Sequence, residues 1–199
     1  MNADQLQTLE NAAEWGGRAW TRMLRSGLTH LLRDMSLEGK TVLELGPRSG
    51  KMAVWFAKQG AKVTAMDIRA HYLDQAREEV SKNKVDVNLM LYDGDLGILA
   101  DHSFDVIFTK SVLVMIPEQH ATVIQLARIL KPGGRVLFVE NGQLPRWLRF
   151  FRKLRHRSWD DSNVRYLTHE RLEHIRKNFS ILAHESTSLP PVHMLYGTV

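Results

Sequence analysis

A short segment near residue 45 combines two glycines with a carboxylate at the end of an apolar run. Residues 41–50 read Thr-Val-Leu-Glu-Leu-Gly-Pro-Arg-Ser-Gly, so Glu44 stands two residues before Gly46. After a tight turn to Gly50, the apolar residues 52–57 can begin a helix. At such a strand–turn–helix corner, glycine lets the backbone approach a ligand and the helix N-terminus offers free N–H groups. The segment therefore predicts a nucleotide-type binding site.

Two common nucleotide-binding motifs do not fit this segment. The dinucleotide fingerprint G-x-G-x-x-G would need glycine at the positions of Arg48 and Lys51. The P-loop, G-x-x-x-x-G-K-[ST], fails because Gly46 stands one residue too close to Gly50 and because Met52 replaces the hydroxyl residue. Neither a dehydrogenase nor a P-loop protein is therefore favoured.

Composition narrows the class of protein. The chain has 199 residues, 44% apolar and 25% charged, as expected for an ordinary globular protein with a sizeable core. The absence of cysteine excludes disulfides, thiolate metal sites and cysteine nucleophiles. No apolar run reaches the roughly 18 residues of a membrane span, and residues 1–10 are too polar for a secretory signal. These features predict a cytoplasmic protein, and the net charge of +5 leaves an anionic partner open.

The elements around the glycine segment alternate between strand and helix. A single domain, 1–199, is predicted, with a helical cap at 1–36 broken by Gly16 and Gly17. An α/β fold follows: a seven-stranded, mostly parallel, doubly wound sheet with helices on both faces. The last strand should be antiparallel, because only a short link joins the final pair. The predicted strands are 42–45, 62–66, 87–92, 104–108, 135–140, 179–185 and 192–198, and the predicted helices are 51–59, 69–83, 117–130 and 168–178.

Five ordered motifs now resemble the class I (Rossmann-like) S-adenosylmethionine (SAM) dependent methyltransferases, of the type 11 and type 25 kind. That family begins with an acidic residue, any residue and Gly-x-Gly-x-Gly, and it has an acidic residue at the end of its second strand. The later motifs are Gly-Asp after the third strand, Phe-Asp-x-(apolar) in the fourth, and Leu-Lys-Pro-Gly-Gly-x-(apolar). The matching segments here are residues 44–50, Asp67, Gly94-Asp95, residues 104–107 and residues 130–136.

The resemblance implies a cofactor, SAM, with S-adenosylhomocysteine as the product, and a set of residues that bind it. Asp67 would accept both ribose hydroxyls, and Ile68 would lie against the adenine. Asp95 and the Leu96 N–H would meet the adenine edge, whereas Lys110 and Ser111 would line the methionine end. The complete implied set is Glu44, Gly46, Pro47, Arg48, Gly50, Asp67, Ile68, Asp95, Leu96, Lys110 and Ser111.

One residue departs from the family pattern. Arg48 stands where the family has its middle glycine. Its side chain must point away from the ligand, or the turn must open. Either the arginine contacts the methionine carboxylate, or the SAM site is altered.

Simpler structural roles exist for several of these residues. Asp67 could cap the following helix, and Asp93 and Asp95 could form a turn. Glu140 could be only the polar end of a strand. Met115 and Ile116 are more typical of core than of a substrate pocket.

Catalysis by such a protein depends chiefly on alignment, since methyl transfer from a sulfonium is an in-line displacement with a good leaving group. A base is needed only where the acceptor must lose a proton. Weak candidates are His71, His120 and His169, and no catalytic residue is assigned. The run 169–174 matches neither H-E-x-x-H nor H-x-x-E-H, so no metal is predicted.

A basic, aromatic segment at 145–165 follows the fifth predicted strand. As a helix, residues 146–157 would place Trp147, Phe150, Phe151 and Leu154 on one face and most of their basic residues elsewhere. That pattern suits a lid over the acceptor or contact with an anionic inner membrane surface. A nucleic-acid contact is less favoured, and an ordinary packed helix is also compatible. Trp15 and Trp20 would close the site from the other side.

The sequence therefore predicts methyl transfer to oxygen or nitrogen of a small-molecule, lipid-linked or saccharide acceptor. The alternatives are an RNA methyltransferase and an inactive methyltransferase-like binding protein. Neither the acceptor nor the oligomeric state follows from the sequence.

Overall fold

Seven strands form one mixed sheet in the computed structural model, which describes residues 17–143, 164–188 and 191–199. The strand order is β3-β2-β1-β4-β5-β7-β6, and only β7 runs antiparallel to the others. This arrangement confirms the predicted fold class. The strands are β1 Thr41–Leu45, β2 Lys62–Asp67, β3 Val87–Leu91, β4 Phe104–Lys110, β5 Leu130–Asn141, β6 Ser180–Ser188 and β7 Pro191–Thr198.

Five α-helices and one short 3₁₀ helix connect these strands in the described ranges. The α-helices are α1 Gly17–Asp34, α2 Lys51–Lys58, α3 Ala70–Asn83, α4 Gln119–Ile129 and α5 His169–Asn178, and the 3₁₀ helix is Leu113–Met115. The predicted helix at 117–130 begins two residues later than expected, at Gln119, and a 3₁₀ helix precedes it after β4. No described helix is long and apolar enough to cross a membrane.

Apolar side chains cover both faces of the sheet and make two cores. On one face α1 and α2 pack against the strands, with Leu24, Leu28 and Phe56 completely buried. On the other face α4 and α5 contribute Leu126 and Ile175. The near-continuous apolar sequences of β1 and β4 follow from this arrangement, because a parallel strand at the centre is buried on both sides.

The Lys-Pro-Gly-Gly segment forms a detour within β5. Phe104 pairs with Leu130, but the next pair is Val106 with Arg135, so residues 131–134 leave the register. The predicted turn therefore exists as an irregularity of β5 rather than as a loop before it. Since the register recovers at Arg135, the carboxyl end of β5 still aligns with that of β4.

The predicted cap and insertion are described only in part. The cap, 1–36, is described from Gly17 onward, where α1 buries Trp20. Residues 1–16 with Trp15, and the candidate membrane or lid segment 146–157, lie outside the described residues. The insertion 145–165 is described only at its last two residues.

A buried tyrosine fixes the end of α1 to the sheet. The Tyr196 hydroxyl donates to Asp34 Oδ2 at 2.9 Å and accepts from Arg135 Nε at 3.0 Å. Burial raises the pKa of Tyr196 to about 12, and the hydrogen bond from Tyr196 lowers the pKa of Asp34. The hydroxyl therefore joins α1, β5 and β7.

Removing this hydroxyl should destabilise the fold. We expect Tyr196→Phe to lower the free energy of unfolding by about 1–2 kcal/mol, because Arg135 and Asp34 lose a buried partner. Urea denaturation measures the change. Tyr72→Phe is the matched control, since the Tyr72 hydroxyl has no recorded hydrogen bond within the described residues; an equal loss in both variants would contradict the role of Tyr196.

Candidate functional site

The carboxyl ends of β1, β2 and β4 lie side by side. Leu45 pairs with Met66 on one side and with Thr109 on the other. The residues that follow these three strand positions are Gly46, Asp67 and Lys110, which places them at one edge of the sheet. Ligands of open α/β sheets bind at this edge.

The turn after β1 uses left-handed backbone conformations at three positions. Gly46, Arg48 and Gly50 have φ values of 69°, 51° and 79°. The turn is closed by a hydrogen bond from the Gly50 N–H to the Pro47 carbonyl at 2.8 Å. Gly46 also donates to the Met66 carbonyl at 2.8 Å, which ties the turn to the end of β2. The backbone therefore keeps the form that three glycines would favour, although the middle residue is an arginine.

Both glycines also lie against other parts of the protein. A Cβ on Gly46 would lie 2.4 Å from Val112 Cγ2, and a Cβ on Gly50 would lie 2.8 Å from the Ala76 Cβ. Close packing between the turn, the segment after β4 and α3 thus requires glycine at these two places. The predicted close approach of a ligand to the backbone would be a second, separate reason for glycine at the same two positions.

The contact at Gly46 gives a measurable coupling. We expect Gly46→Ala to lower the free energy of unfolding by about 2 kcal/mol, through left-handed strain and overpacking. In a Val112→Ala background the loss should be smaller by about 1 kcal/mol, because the contacting methyl group is gone. Chemical denaturation of the four proteins of this cycle measures the coupling.

Gly39→Ala is the control for backbone strain alone. Gly39 has a φ of 70° and no atom within 4 Å of an added Cβ, so its expected loss is about 1 kcal/mol. Equal losses at Gly39 and Gly46, with no coupling to Val112, would show that packing contributes nothing.

The Arg48 side chain extends towards α3. It is exposed, and its Cζ lies 5.9 Å from the centroid of the Tyr72 ring. Arg69 Cζ lies 5.7 Å from the same ring. An arginine is compatible with this turn because its side chain contacts an aromatic ring on the neighbouring helix.

Asp67 is a buried carboxylate at the end of β2, with 7% of its surface exposed. Its Oδ1 accepts from the Arg69 N–H at 3.0 Å, and the backbone N–H groups of Arg48 and Ile68 also stabilise its charge. Burial nevertheless raises its pKa. The helix-cap alternative is weak, since Arg69 precedes α3 and no side chain caps that helix. A desolvated carboxylate beside a glycine turn is suited to accept hydroxyl donors.

The predicted adenine side is more open. Ile68 is 58% exposed, so its apolar surface is available to a flat ring. Asp95 Oδ1 accepts from the Gly97 N–H at 2.8 Å, and Asp93 Oδ1 accepts from the Asp95 N–H at 3.0 Å. Both aspartates therefore form turns, as the simpler alternative holds, while the exposed Asp95 can still reach solvent. Leu96 is buried, and its carbonyl accepts from Arg128.

The end of β4 is held by contacts to β5. Ser111 has a φ of 58°, donates its N–H to the Val139 carbonyl at 2.9 Å and accepts at Oγ from Asn141 Nδ2 at 2.7 Å. Lys110 is partly buried at the last position of β4. The predicted methionine end is thus a constrained segment rather than a free loop.

Glu140 is the residue whose role the sequence did not reveal. It is fully buried, and its Oε1 accepts from Thr109 Oγ1 at 2.7 Å and from the N–H groups of Val112 and Leu113 at 3.2 Å each. Its Oε2 accepts from the Val114 N–H at 3.4 Å. Burial raises the pKa of Glu140 to about 7, although these donors favour the charged form. Glu140 therefore organises the segment that begins at the predicted methyl-transfer mouth.

The candidate histidines are dispersed. The His71 ring lies 4.1 Å from the Tyr72 ring, at the start of α3. The His120 ring stacks on His174 at 4.0 Å, between α4 and α5. His169 is exposed at the first residue of α5. Within the described residues, no hydrogen bond, ion pair or ring contact joins any of these histidines to Asp67 or Glu140. No group of three potential metal ligands occurs in the described residues.

The residues at this edge fit SAM chemically. A buried carboxylate, Asp67, can accept ribose hydroxyls, and the exposed Ile68 offers an apolar surface. Ser49 Oγ lies inside the turn without accessible surface or a hydrogen-bond partner among the described residues. Such a hydroxyl is costly unless something else pairs with it.

Comparison with known proteins finds methyltransferases. A family model described as "Methyltransferase domain" matches residues 43–138. The "Ubiquinone biosynthesis O-methyltransferase" of Coxiella burnetii strain RSA 493 is 27% identical over 111 residues, 56% of this chain. This chain spans 47% of that relative, so it covers about half the length of the curated proteins that it matches.

Solved structures share the fold at low identity. An S-adenosylmethionine dependent methyltransferase from Mesorhizobium loti has a TM-score of 0.71 at 18% identity, with 91% of this chain and 98% of that chain covered. A magnesium protoporphyrin IX methyltransferase from Synechocystis PCC 6803, with bound SAH, has a TM-score of 0.68 at 18% identity over 98% and 94%. Residues 43–138 thus match a methyltransferase domain model, and the chain shares its fold with solved SAM-dependent methyltransferases.

Proposed function

We propose that this protein transfers a methyl group from SAM to an oxygen of a small-molecule acceptor. The observation that carries the proposal is Asp67, a buried carboxylate placed directly beside the left-handed Gly46–Gly50 turn. A carboxylate there costs desolvation, as its raised pKa shows. Ribose hydroxyl donors would compensate for that cost. The oxygen acceptor is favoured over nitrogen because several of the matched relatives are named O-methyltransferases.

Different residues at this edge would contact different parts of the cofactor. Asp67 would accept the two ribose hydroxyls, while Ile68 and the Asp95–Leu96 segment would hold the adenine. Ser49 Oγ and the backbone of the turn would contact the methionine end, near Ser111. When bound, SAM would supply a sulfonium methyl group: the acceptor oxygen would bond to the methyl carbon in line with the breaking C–S bond, and S-adenosylhomocysteine would leave.

The acceptor would enter beside the segment after β4. Glu140 holds the N–H groups of residues 112–114, so the segment next to Ser111 has a fixed position. A fixed wall contributes to catalysis by limiting the approach of the acceptor to one direction. Met115, 45% exposed on this segment, offers an apolar contact to such an acceptor. This combination suits an aromatic or lipid-like molecule better than a saccharide.

A transfer assay with tritiated SAM tests the proposal. We expect label to enter a small organic-soluble fraction of a cell extract. Mild alkaline hydrolysis should release the label as methanol from a methyl ester and leave a methyl ether intact. Calorimetric titration with SAM and S-adenosylhomocysteine is run in parallel. Cofactor binding without transfer to any fraction would favour the inactive alternative, and label in RNA would favour the nucleic-acid alternative.

A further inference from the structure

A second cleft lies between α1 and β6. It has a volume of about 600 Å³, and its lining includes Arg18, Arg22, Arg25, His30 and Glu185. In the strand order, four strands separate β6 from β2, which carries Asp67. At about 4.8 Å per strand spacing, the cleft is roughly 24 Å from the proposed cofactor site. It is therefore a separate feature of the surface.

Three arginines share one side of α1. Arg18, Arg22 and Arg25 are exposed and follow the spacing i, i+4 and i+7, so they lie within about 10 Å along the helix. None of their guanidinium groups has a hydrogen-bond or ion-pair partner among the residues that the structure describes. The first turn of α1 also contains no acidic residue. Like charges at this spacing destabilise a helix slightly unless an anion neutralises them.

The carboxylate in the cleft does not neutralise these arginines. Glu185 Oε1 accepts from Ser26 Oγ and lies 3.8 Å from His30 Nε2. Glu185 is therefore engaged with the middle of α1, and the Arg18–Arg22 end remains positive. The cleft thus has a cationic end and an end where a carboxylate can accept a hydroxyl group.

Two hydroxyl side chains complete the lining. Thr21 Oγ1 donates to the Gly17 carbonyl at 3.3 Å, and Thr29 Oγ1 donates to the Arg25 carbonyl at 2.8 Å. Since their protons are used within the helix, their oxygen lone pairs remain as acceptors. The cleft therefore offers guanidinium donors for an anion together with acceptors for hydroxyl groups.

We propose that this cleft binds a phosphate ester that carries free hydroxyl groups. Guanidinium groups pair with phosphate oxygens in a fork geometry, which a row of arginines can repeat. Glu185, Thr21 and Thr29 accept from the hydroxyl groups of the same ligand. The ligand is either a soluble polyol phosphate or the headgroup of a glycerophospholipid, since both present the same chemistry.

Two probes distinguish these sources. Glycerol 3-phosphate is titrated into ¹⁵N-labelled protein, and sedimentation measures binding to vesicles of phosphatidylglycerol with phosphatidylcholine vesicles as the reference. We expect chemical-shift changes along α1 and β6, or sedimentation with the anionic vesicles alone. Binding of glycerol 3-phosphate indicates a soluble ligand, and binding of the vesicles alone indicates a headgroup.

A matched pair of triple variants tests the arginines. Arg18→Gln, Arg22→Gln and Arg25→Gln together reduce the net charge from +5 to +2 (5 − 3 = 2), as do Lys62→Gln, Arg77→Gln and Lys82→Gln together. We expect the first triple variant to bind at least 10-fold more weakly and the second less than 2-fold. Glu185→Gln should change the shifts of the ligand hydroxyl region but preserve anion binding.

Two results would overturn the proposal: no binding of either probe, and equal weakening in the two triple variants. If neither probe binds, arginine-dependent binding of an RNA oligonucleotide would assign the cleft to nucleic acid instead. Circular dichroism and thermal unfolding confirm that both triple variants are folded. The tests use no SAM, so their outcome is independent of methyl transfer.

Discussion

Replacing Asp67 by alanine should weaken SAM binding about 1,000-fold. Two ribose hydroxyls donating to a charged carboxylate contribute about 1.5–3 kcal/mol each, and both hydrogen bonds disappear in Asp67→Ala. The free energy of unfolding should change little or rise, because the raised pKa shows that burial of this carboxylate is unfavourable. Calorimetric titration and urea denaturation measure the two quantities separately.

Asparagine at the same position is the graded comparison. Asp67→Asn keeps an oxygen for the Arg69 N–H but loses the charge, so we expect affinity between that of the wild type and that of Asp67→Ala. Asp86→Ala is a control, because Asp86 is exposed directly before β3, at the opposite edge of the sheet. Unchanged SAM affinity in Asp67→Ala would rule out the ribose role. A large loss of stability with unchanged affinity would make Asp67 purely structural.

Replacing Glu140 by glutamine should change how the stability of the protein depends on pH. Its pKa is raised from 4.5 to about 7 in the folded protein. Between these values the unfolded chain has released the proton and the folded chain retains it, so stability falls as pH rises. At 1.36 kcal/mol per pKa unit, the wild type should lose about 3 kcal/mol relative to Glu140→Gln between pH 4.5 and pH 7. Above the folded pKa the difference should remain constant.

Urea denaturation at intervals from pH 5 to pH 8 measures this difference. Glu78→Gln, on the exposed side of α3, controls for the loss of one negative charge. At the acidic end of this range, where Glu140 is neutral and still pairs with Thr109 and the 112–114 backbone, Glu140→Gln should be less stable than the wild type. The informative quantity is therefore the slope with pH. A wild-type stability that rises from pH 5 to pH 7 relative to Glu140→Gln would mean that the four donors outweigh burial and keep the carboxylate charged.

The fold follows from the sequence because its signals are local. Alternating apolar runs and helical periods predicted the seven strands, and the short Ser-Leu-Pro-Pro link at 188–191 predicted that β7 would be antiparallel to β6. The position of the candidate site follows as well, since Gly46 directly follows β1, and Asp67 and Lys110 are the last residues of β2 and β4. The boundaries of helices and strands follow less closely from the sequence. Pro117 predicts a helix start at that residue, whereas α4 begins at Gln119.

The contacts between distant segments could not be predicted. The sequence indicates for Glu140 only a possible strand end. Its partners at 109 and 112–114 are 26–31 residues away in sequence, so no local pattern indicates them. Arg48 departed from the family pattern, and only the position of the Tyr72 ring shows where its side chain can go. Likewise, the arginine spacing of α1 is visible in the sequence, but the cleft exists only because β6, about 160 residues later, lies beside that helix.

The position of β7 has a consequence for synthesis on the ribosome. β7 is made after β6, yet it lies between β5 and β6 and, among the described strands, is the only one that pairs with β6. Until residues 191–198 have left the exit tunnel, β5 remains an open sheet edge and β6 has no hydrogen-bonding partner in the sheet. A stalled or shortened chain would therefore expose two strands at once, which is the form most prone to pair with another chain.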